Sequence, residues 1–378
     1  MDRRDRRLLA TPAATARVVH RPRREPAADE MQLRVLRAGL CGTDVQIAMG
    51  LRADVATVLG HEGLAAPIDP SGPAVIFNPV HLGAQDEILG HSYDGLFQDR
   101  VNVRKFDDGG PELCVAAPKL VADLAPLVEP LGCVLYSNEL LSTSSPPRSL
   151  IIVGGGTTAA LHALVATRQG IDVHLVHGRP ERLAWLRDRK LTGAATLHLA
   201  GPDLAARVRA ARAGEPVDAA VLCVPRNGAP VALEQALECV REGGVINLFG
   251  GFRSGDQHPL LPGMDLGSVR RANVCGMSLD GGHVVVETAT GFIIRLTGHR
   301  GTSRAHLAEA QRHLIAAPRT FARLVTTVVS LEGLAAIIRM LASDANLSPE
   351  RCKIVVDMSL GAGAQRDIDL RRRVADVV

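Results

Sequence analysis

Between residues 16 and 124 the apolar positions come in short runs broken by Gly, Pro and Asp. Leu33-Arg34-Val35-Leu36, Ala74-Val75-Ile76-Phe77 and Leu96-Phe97-Gln98-Asp99-Arg100-Val101 are examples. Short runs with frequent breakers predict an antiparallel β domain, not alternating strand and helix. The pattern changes at Ser149. There a largely apolar run, Ser149-Leu150-Ile151-Ile152-Val153, leads into Gly154-Gly155-Gly156-Thr157-Thr158-Ala159, and helical spacing continues to Gly170. Asp172-Val173-His174-Leu175-Val176 reads as a second strand, and alternation goes on through residues 219–224 and 243–250. Strand and helix alternating in this way predict a parallel sheet.

Strand, glycine turn and helix in that order form the phosphate-binding unit of a dinucleotide fold. Gly154 permits the tight turn, Gly156 lets the backbone approach a pyrophosphate, and Ala159 keeps helix and strand close. A Rossmann domain is therefore predicted, against an ordinary βα unit with no ligand. At the end of the second strand an acidic residue would bind the ribose hydroxyls of NAD. His177-Gly178-Arg179 stands there instead. With no carboxylate to repel a 2′-phosphate, and with Arg179 and Arg182 available to pair with it, NADP(H) is expected ahead of NAD. The other reading leaves both arginines solvated, with NAD bound without the acidic contact.

Chemistry of a different kind sits in the β half. Ala38-Gly39-Leu40-Cys41-Gly42-Thr43-Asp44 is followed by Gly60-His61-Glu62. A thiolate and an imidazole are both zinc ligands, and a short loop can bring them to one point. Taken singly, Cys41 would be a small buried apolar residue and His61 a core histidine. Their neighbours favour the metal. Asp44 could accept a hydrogen bond from the second ring nitrogen of His61 and so fix its tautomer. Thr43 adds a hydroxyl beside the ion. Glu129 lies in the apolar run Leu127-Val128-Glu129-Pro130-Leu131-Gly132-Cys133, where a charge is costly to bury without a compensating cation. It is the expected third ligand.

Composition adds limits. The 378 residues, 46% hydrophobic, suffice for two domains with separate cores. A net charge of +3 is small, and the arginines of the first two dozen residues lack interleaved aromatics. They read as a solvated basic tail, not a nucleic-acid surface. No apolar run is long enough for a membrane span and no secretory segment is evident, so a cytoplasmic protein is expected. Seven scattered cysteines without a CxxC pair argue against a disulfide framework. Aromatics are only 3%, which leaves little for a bulky apolar pocket and favours a small hydroxylated substrate.

Taken together, GLCGTD, GHEG, LVEPLG, VGGGTTA, EGGVINLFGG and the closing Lys353-Ile354-Val355-Val356-Asp357 resemble the zinc-dependent medium-chain alcohol and polyol dehydrogenases, which include sorbitol and threonine dehydrogenases. The resemblance implies an α/β protein whose GroES-like catalytic domain (residues 1–137 and 300–378) is interrupted by the Rossmann domain (138–299). It implies helices at 303–317 and at 330–342, with Ser330 an N-cap. Cys41 and His61 become catalytic zinc ligands, and Glu129 takes the third place, a glutamate in the polyol branch. Glu62 resembles a residue lying behind the zinc or binding it directly, and Cys133 falls near the nicotinamide. A substrate hydroxyl at the open position of the zinc would lose its proton to Thr43 and its hydride to the cofactor. A dimer or tetramer paired through a Rossmann edge strand is implied, with residues 291–297 as the candidate.

Three departures qualify the likeness. Between Glu62 and Glu129 only Cys114 is present, so no structural zinc is expected, and a polar segment from Phe77 to Asp94 replaces its lobe. Gln46 stands where a relay histidine usually follows the CGTD motif, which leaves His91 as a candidate base or as a plain loop histidine. Residues 252–292 are longer than the corresponding family segment. The expected activity is hydride transfer between NAD(P) and a secondary alcohol of a polyol, cyclitol or aminosugar. A zinc-free quinone or enone reductase and a catalytically silent dinucleotide-binding protein are the other readings.

Overall fold

A computed structural model describes residues 4–10, 16–69, 71–105, 110–142, 145–277, 282–343 and 350–378. The chain divides into two compact units, Met1–Gly132 with Gly301–Val378, and Cys133–Arg300. Among the described residues no helix is long and apolar enough to cross a membrane.

The arginine-rich start is folded, contrary to the solvated tail expected for it. Strands β1 (Arg4–Leu9) and β2 (Arg17–Pro22) pair antiparallel. The reason is burial: Leu8, Ala10 and Ala16 are at most 2% exposed and join the first unit's core. Arg6 reaches past them to an ion pair with Asp99 at 2.9 Å and donates to the Met358 carbonyl at 2.7 Å. The basic residues thus decorate a strand whose other positions are core.

The first unit continues with β3 (Glu30–Gly39), helix α1 (Gly42–Ala48), β4 (Glu62–Pro67), β5 (Val75–Asn78), β6 (Arg100–Arg104) and β7 (Glu112–Val115) and a 3-10 turn at Ala122–Leu127, and helix α2 (Val128–Leu141) starts in it and runs on into the second unit from Cys133. The second unit holds β8 (Ser149–Val153), α3 (Thr157–Arg168), β9 (Asp172–His177), α4 (Pro180–Asp188), β10 (Thr196–Leu199), α5 (Leu204–Ala211), β11 (Val217–Leu222), α6 (Ala229–Cys239), β12 (Val240–Asn247), α7 (Leu266–Arg270), β13 (Asn273–Val274), β14 (Val284–Glu287), β15 (Ile293–Thr297) and β16 (His299–Arg300). The chain then completes the first unit with α8 (Arg304–Ala316), α9 (Pro318–Ala322), β17 (Val325–Val329), α10 (Leu331–Ser343), β18 (Lys353–Asp357) and β19 (Gln365–Arg366).

In the first unit one sheet runs β19-β17-β18-β3-β4-β5-β7, with β6 also on β3. Its two registers at the end of β3 matter most for the site. Val355 of β18 lies opposite Gly39, and Glu62 of β4 lies opposite Gly39 on the other side. Helix α10 covers the sheet because Leu331, Leu334 and Ile338 recur at helical spacing and are fully buried. Ser330 caps it, its hydroxyl accepting from Gly333 N at 3.1 Å. Ser303 likewise caps α8. Behind the sheet Arg37 donates to Asp123 at 2.8 Å and to Asp357 at 2.7 Å, while Arg366 bridges the same two carboxylates. Both aspartates are 0% exposed, so the network ties the start of the sheet to residues near 366 through buried charge.

The second unit has the strand order β10-β9-β8-β11-β12-β15-β14. From β10 to β15 every pair is parallel. This is a doubly wound sheet whose order reverses between β8 and β11, and such folds bind ligands at the carboxyl ends of the strands at that point. One expectation is corrected here. Residues 291–297 supply β15, which is an interior strand, because the segment before it folds back antiparallel as β14 and takes the edge. Much of the long stretch 252–292 is thereby accounted for; residues 278–281 lie outside the described residues.

Candidate metal centre and glycine turn

The end of β3 places Cys41. The strand stops at Gly39, Leu40 N bonds to the Ile354 carbonyl at 2.9 Å, and Cys41 becomes the N-cap of α1. Asp44, in the first turn of that helix, is wholly buried. Its Oδ2 accepts from Cys41 N at 2.8 Å and its Oδ1 from Gly60 N at 3.1 Å. One carboxylate therefore clamps the backbones that carry Cys41 and His61. Burial opposes its charge, but His61 and the Cys41 amide hold its pKa below the ordinary carboxylate range.

The ligand atoms of Cys41, His61 and Glu62 all lie within 4.8 Å of one another. Their thiol, imidazole and carboxylate are the donor set of a zinc site. The ring of His61 is 7% exposed, and its Nδ1 sits 3.7 Å from Asp44 Oδ1, buried and without a hydrogen-bond partner. Burial disfavours a proton on this ring, yet Asp44 and Cys41 outweigh it and raise the pKa well above the usual value. Cationic character is thus favoured where the three side chains meet, and a metal ion supplies it by displacing the proton. The residues fit a divalent cation.

Behind the ligands Glu62 pairs with Lys353 of β18, and Lys353 Nζ also donates to the Leu40 carbonyl at 3.2 Å. Gly39 makes room for the pair, since a Cβ there would come within 2.8 Å of Glu62 Oε2 and 3.0 Å of Pro126 Cβ. Thr43, two residues after Cys41, has its Oγ1 buried and unpartnered among the described residues. Glu129 sits in the first turn of α2, 7% exposed, and is not a member of the group of three.

His91 comes from the polar segment between Phe77 and Asp94. Its carbonyl accepts from Val55 N at 3.0 Å and Ala56 N at 2.8 Å, and its ring meets His61 edge-on at 4.9 Å between centroids. Burial and the neighbouring His61 push its pKa down to about 3. The ring is thereby held neutral beside the cluster. Its Nδ1 lies 3.5 Å from both Asp54 and Arg52.

The glycine turn follows β8 at the reversal of strand order. Gly154 has φ +139° and its amide bonds to the Val176 carbonyl at 2.9 Å; a Cβ there would strike the Cys223 carbonyl oxygen at 2.3 Å. Gly156 caps α3, and Ala159 is fully buried between helix and sheet. His177 ends β9 with its ring against Gly155, and its Nδ1 accepts from Arg179 N at 3.1 Å. Arg179 is exposed. Arg182 differs from the expected free cation: it is 4% exposed, donates to the Gly155 carbonyl at 2.8 Å and lies over the Trp185 ring at 4.3 Å. It braces the turn. Cys133 is half-buried in α2.

Lys353 is the site residue that residue-by-residue reading missed. The signal was present, since it is one of four lysines in a chain whose other basic residues are arginine. Gly39 was missed as well, because nothing local marks a glycine that makes room for a carboxylate on the next strand.

No curated protein matches the chain. Residues 159–293 match the family model described as zinc-binding dehydrogenase. Among solved structures, 2R,3R-butanediol dehydrogenase from Bacillus subtilis superimposes with a TM-score of 0.68 at 18% identity, covering 93% of this chain and 99% of that one. Galactitol-1-phosphate dehydrogenase from Escherichia coli gives 0.66 at 17% identity, covering 93% and 99%. Acetophenone reductase from Geotrichum candidum, in complex with NAD, gives 0.66 at 16% identity, covering 94% and 98%. The chain therefore has, over nearly its whole length, the fold of these dehydrogenases, a GroES-like domain with a Rossmann domain, and residues 159–293 match the zinc-binding dehydrogenase family model.

Proposed function

We propose that the protein is a zinc-dependent oxidoreductase that transfers a hydride between NAD(P) and a secondary alcohol or ketone of a polyol, cyclitol or aminosugar. The observation that carries this reading is the convergence of the ligand atoms of Cys41, His61 and Glu62 within 4.8 Å of one another. Cys41 and His61 would hold the ion, with Glu62 beside them and Glu129 as the further carboxylate that the family resemblance assigns. When bound, zinc would polarise a substrate oxygen and ease the loss of its proton. Thr43 would accept a hydrogen bond from that oxygen and relay the proton, its own hydroxyl hydrogen passing on to water. Asp44 locks the two ligand loops together and sets a negative charge 3.7 Å from His61 Nδ1. Lys353 balances the second carboxylate oxygen of Glu62.

The glycine turn would take the cofactor pyrophosphate at the N-terminus of α3. Exposed Arg179, with no acidic residue at the end of β9, supports NADP over NAD, with His177 packed under the turn. The names of two similar structures, a butanediol and a galactitol-1-phosphate dehydrogenase, favour a hydroxylated substrate, as does the scarcity of aromatic residues. Free thiols at Cys41, Cys114, Cys223 and Cys239 suit the cytoplasm. The edge strand β14, with Val285 69% exposed, is the surface through which a dimer or tetramer would pair, and light scattering tests it.

The deciding experiment is metal analysis of the purified protein together with titration by NADPH and NADH. About one zinc per chain and tight binding of NADPH are expected. A zinc-free protein that still binds cofactor would overturn the metal chemistry and point to a reductase of the zinc-free kind.

A further inference from the structure

Strand β10 lies at one edge of the sheet in the second unit and is paired there only with β9. Its four residues, Thr196–Leu199, run parallel to residues 174–177. So short a parallel pairing is a weak attachment, because the other side of the strand has no ladder partner. A side-chain bond reinforces it. His174 Nδ1 on β9 lies 2.9 Å from His198 Nε2 on β10, and both rings are buried, at 1% and 7% exposure.

The neighbours decide where the protons sit. Asp172 Oδ2 lies 3.4 Å from His174 Nε2, and an ionised carboxylate only accepts, so that nitrogen carries the hydrogen. His174 Nδ1 is then a bare acceptor, and the donor facing it is His198 Nε2–H. A single proton thus joins the two strands. Of the four ring nitrogens only His198 Nδ1 stays open to a further proton, since one added to His174 Nδ1 would set two N–H groups against each other.

The surroundings resist that further proton. Arg212, just beyond α5, pairs with Asp172, while Arg207 of α5 pairs with Asp203 and donates to the Leu199 carbonyl. Opposite His174 the neighbouring strands present Ile151 of β8 and Thr196 of β10, neither of which titrates. Helices α3 and α4 also pack on these strands but set none of their charged groups against either ring. Burial is the largest influence on both histidines; with Arg212 it outweighs Asp172 and lowers the pKa of His174, and with His174 and Arg207 it pushes that of His198 down to about 4. A histidine lowered in this way costs the folded state nothing above its unfolded value of about 6.5. As pH falls from there toward the folded value it destabilises the closed form progressively.

We infer that the bond between His174 and His198 is an acid-sensitive latch, which keeps β10 on the sheet at neutral pH and releases it in mild acid while the interior strands stay closed. The test is hydrogen exchange of the full chain with mass-spectrometric detection at pH 5.0 and 7.5, corrected for the intrinsic rate. Residues 196–204 should open about tenfold or more at the lower pH, a factor within reach of one histidine moved from about 6.5 to about 4, and β11 and β12 should keep their protection. His198→Gln takes no proton, yet its amide can still donate to His174 Nδ1, so this variant should lose most of the acceleration. His174→Asn, with an oxygen in the place of Nδ1, repeats the test if the first variant is unstable. Equal protection at the two pH values, the same acceleration in the variants, or an equal acceleration in β11 and β12 would overturn the inference.

Discussion

Lys353 and Glu62 form an ion pair that is almost wholly shielded from water, at 1% and 2% exposure, directly behind the thiol and imidazole of the metal cluster. A buried pair of this kind adds little net stability as a pair, yet removing one partner leaves an uncompensated charge at a cost of about 3–5 kcal/mol. Lys353→Met should therefore destabilise the metal-stripped protein by that order, and adding Glu62→Gln should restore most of the loss. Urea unfolding of the single and double variants at neutral pH measures it. A stable Lys353→Met protein would mean that Glu62 is neutral or otherwise paired.

The clamp made by Asp44 predicts a metal phenotype without a change of ligand. Asp44→Asn keeps the shape but loses one acceptor for the amides of Cys41 and Gly60 and the negative charge beside His61. Removal of such an outer partner typically weakens metal binding by roughly 10–100-fold. Competition with a chromophoric chelator gives the affinity directly; an unchanged value would remove Asp44 from the site.

How much of this was legible in the sequence follows from the range of the interactions. The strand-turn-helix at Ser149 to Arg168 is local, so spacing alone placed Gly154, Gly156 and Ala159 where they stand. The N-cap Ser330 was legible for the same reason. The N-terminal strands were not, because Leu8 is buried by residues remote in sequence, and a basic segment with few apolar residues reads as solvated. Arg182 was taken as a free cation because nothing local shows that its guanidinium reaches back 27 positions to Gly155. In the metal cluster Cys41 and His61 were named together, but the partner of Glu62 lies 291 residues away and is set only by the register of β18 against β3.

Cofactor choice turns on Arg179. It is exposed at the N-cap of α4, beyond a strand that ends in His177 and not in an acid. Arg179→Ala should weaken NADPH by about tenfold, the value of one charge-assisted contact, and leave NADH nearly unchanged. Fluorescence titration with both nucleotides separates the outcomes, since an equal loss for the two would remove the phosphate contact.

The network of Arg37, Arg366, Asp123 and Asp357 sets an acid limit. Burial works against charge on both aspartates, but Arg366 and Arg37, with Ser359 on Asp357, hold their pKa values below the usual carboxylate range. A group depressed in the folded state contributes stability above its unfolded pKa, about 3.9 for aspartate, and loses that contribution as pH falls through the folded value. Stability should therefore drop steeply below about pH 4, and Asp123→Asn should start lower and fall less steeply over that interval. Denaturation at a series of acid pH values checks both the sign and the slope.

The division of the chain also orders its biosynthesis. The second unit is one continuous stretch, whereas the first is assembled from segments on either side of it. Domains generally fold as units while the chain is still being made. On the ribosome Cys41, His61 and Glu62 emerge early, but the lysine that neutralises Glu62 follows 291 residues later. Through nearly all of translation Glu62 thus lacks the lysine that neutralises it, although β4, β5, β6 and β7 are already made, and the pair forms only when β18 docks on β3.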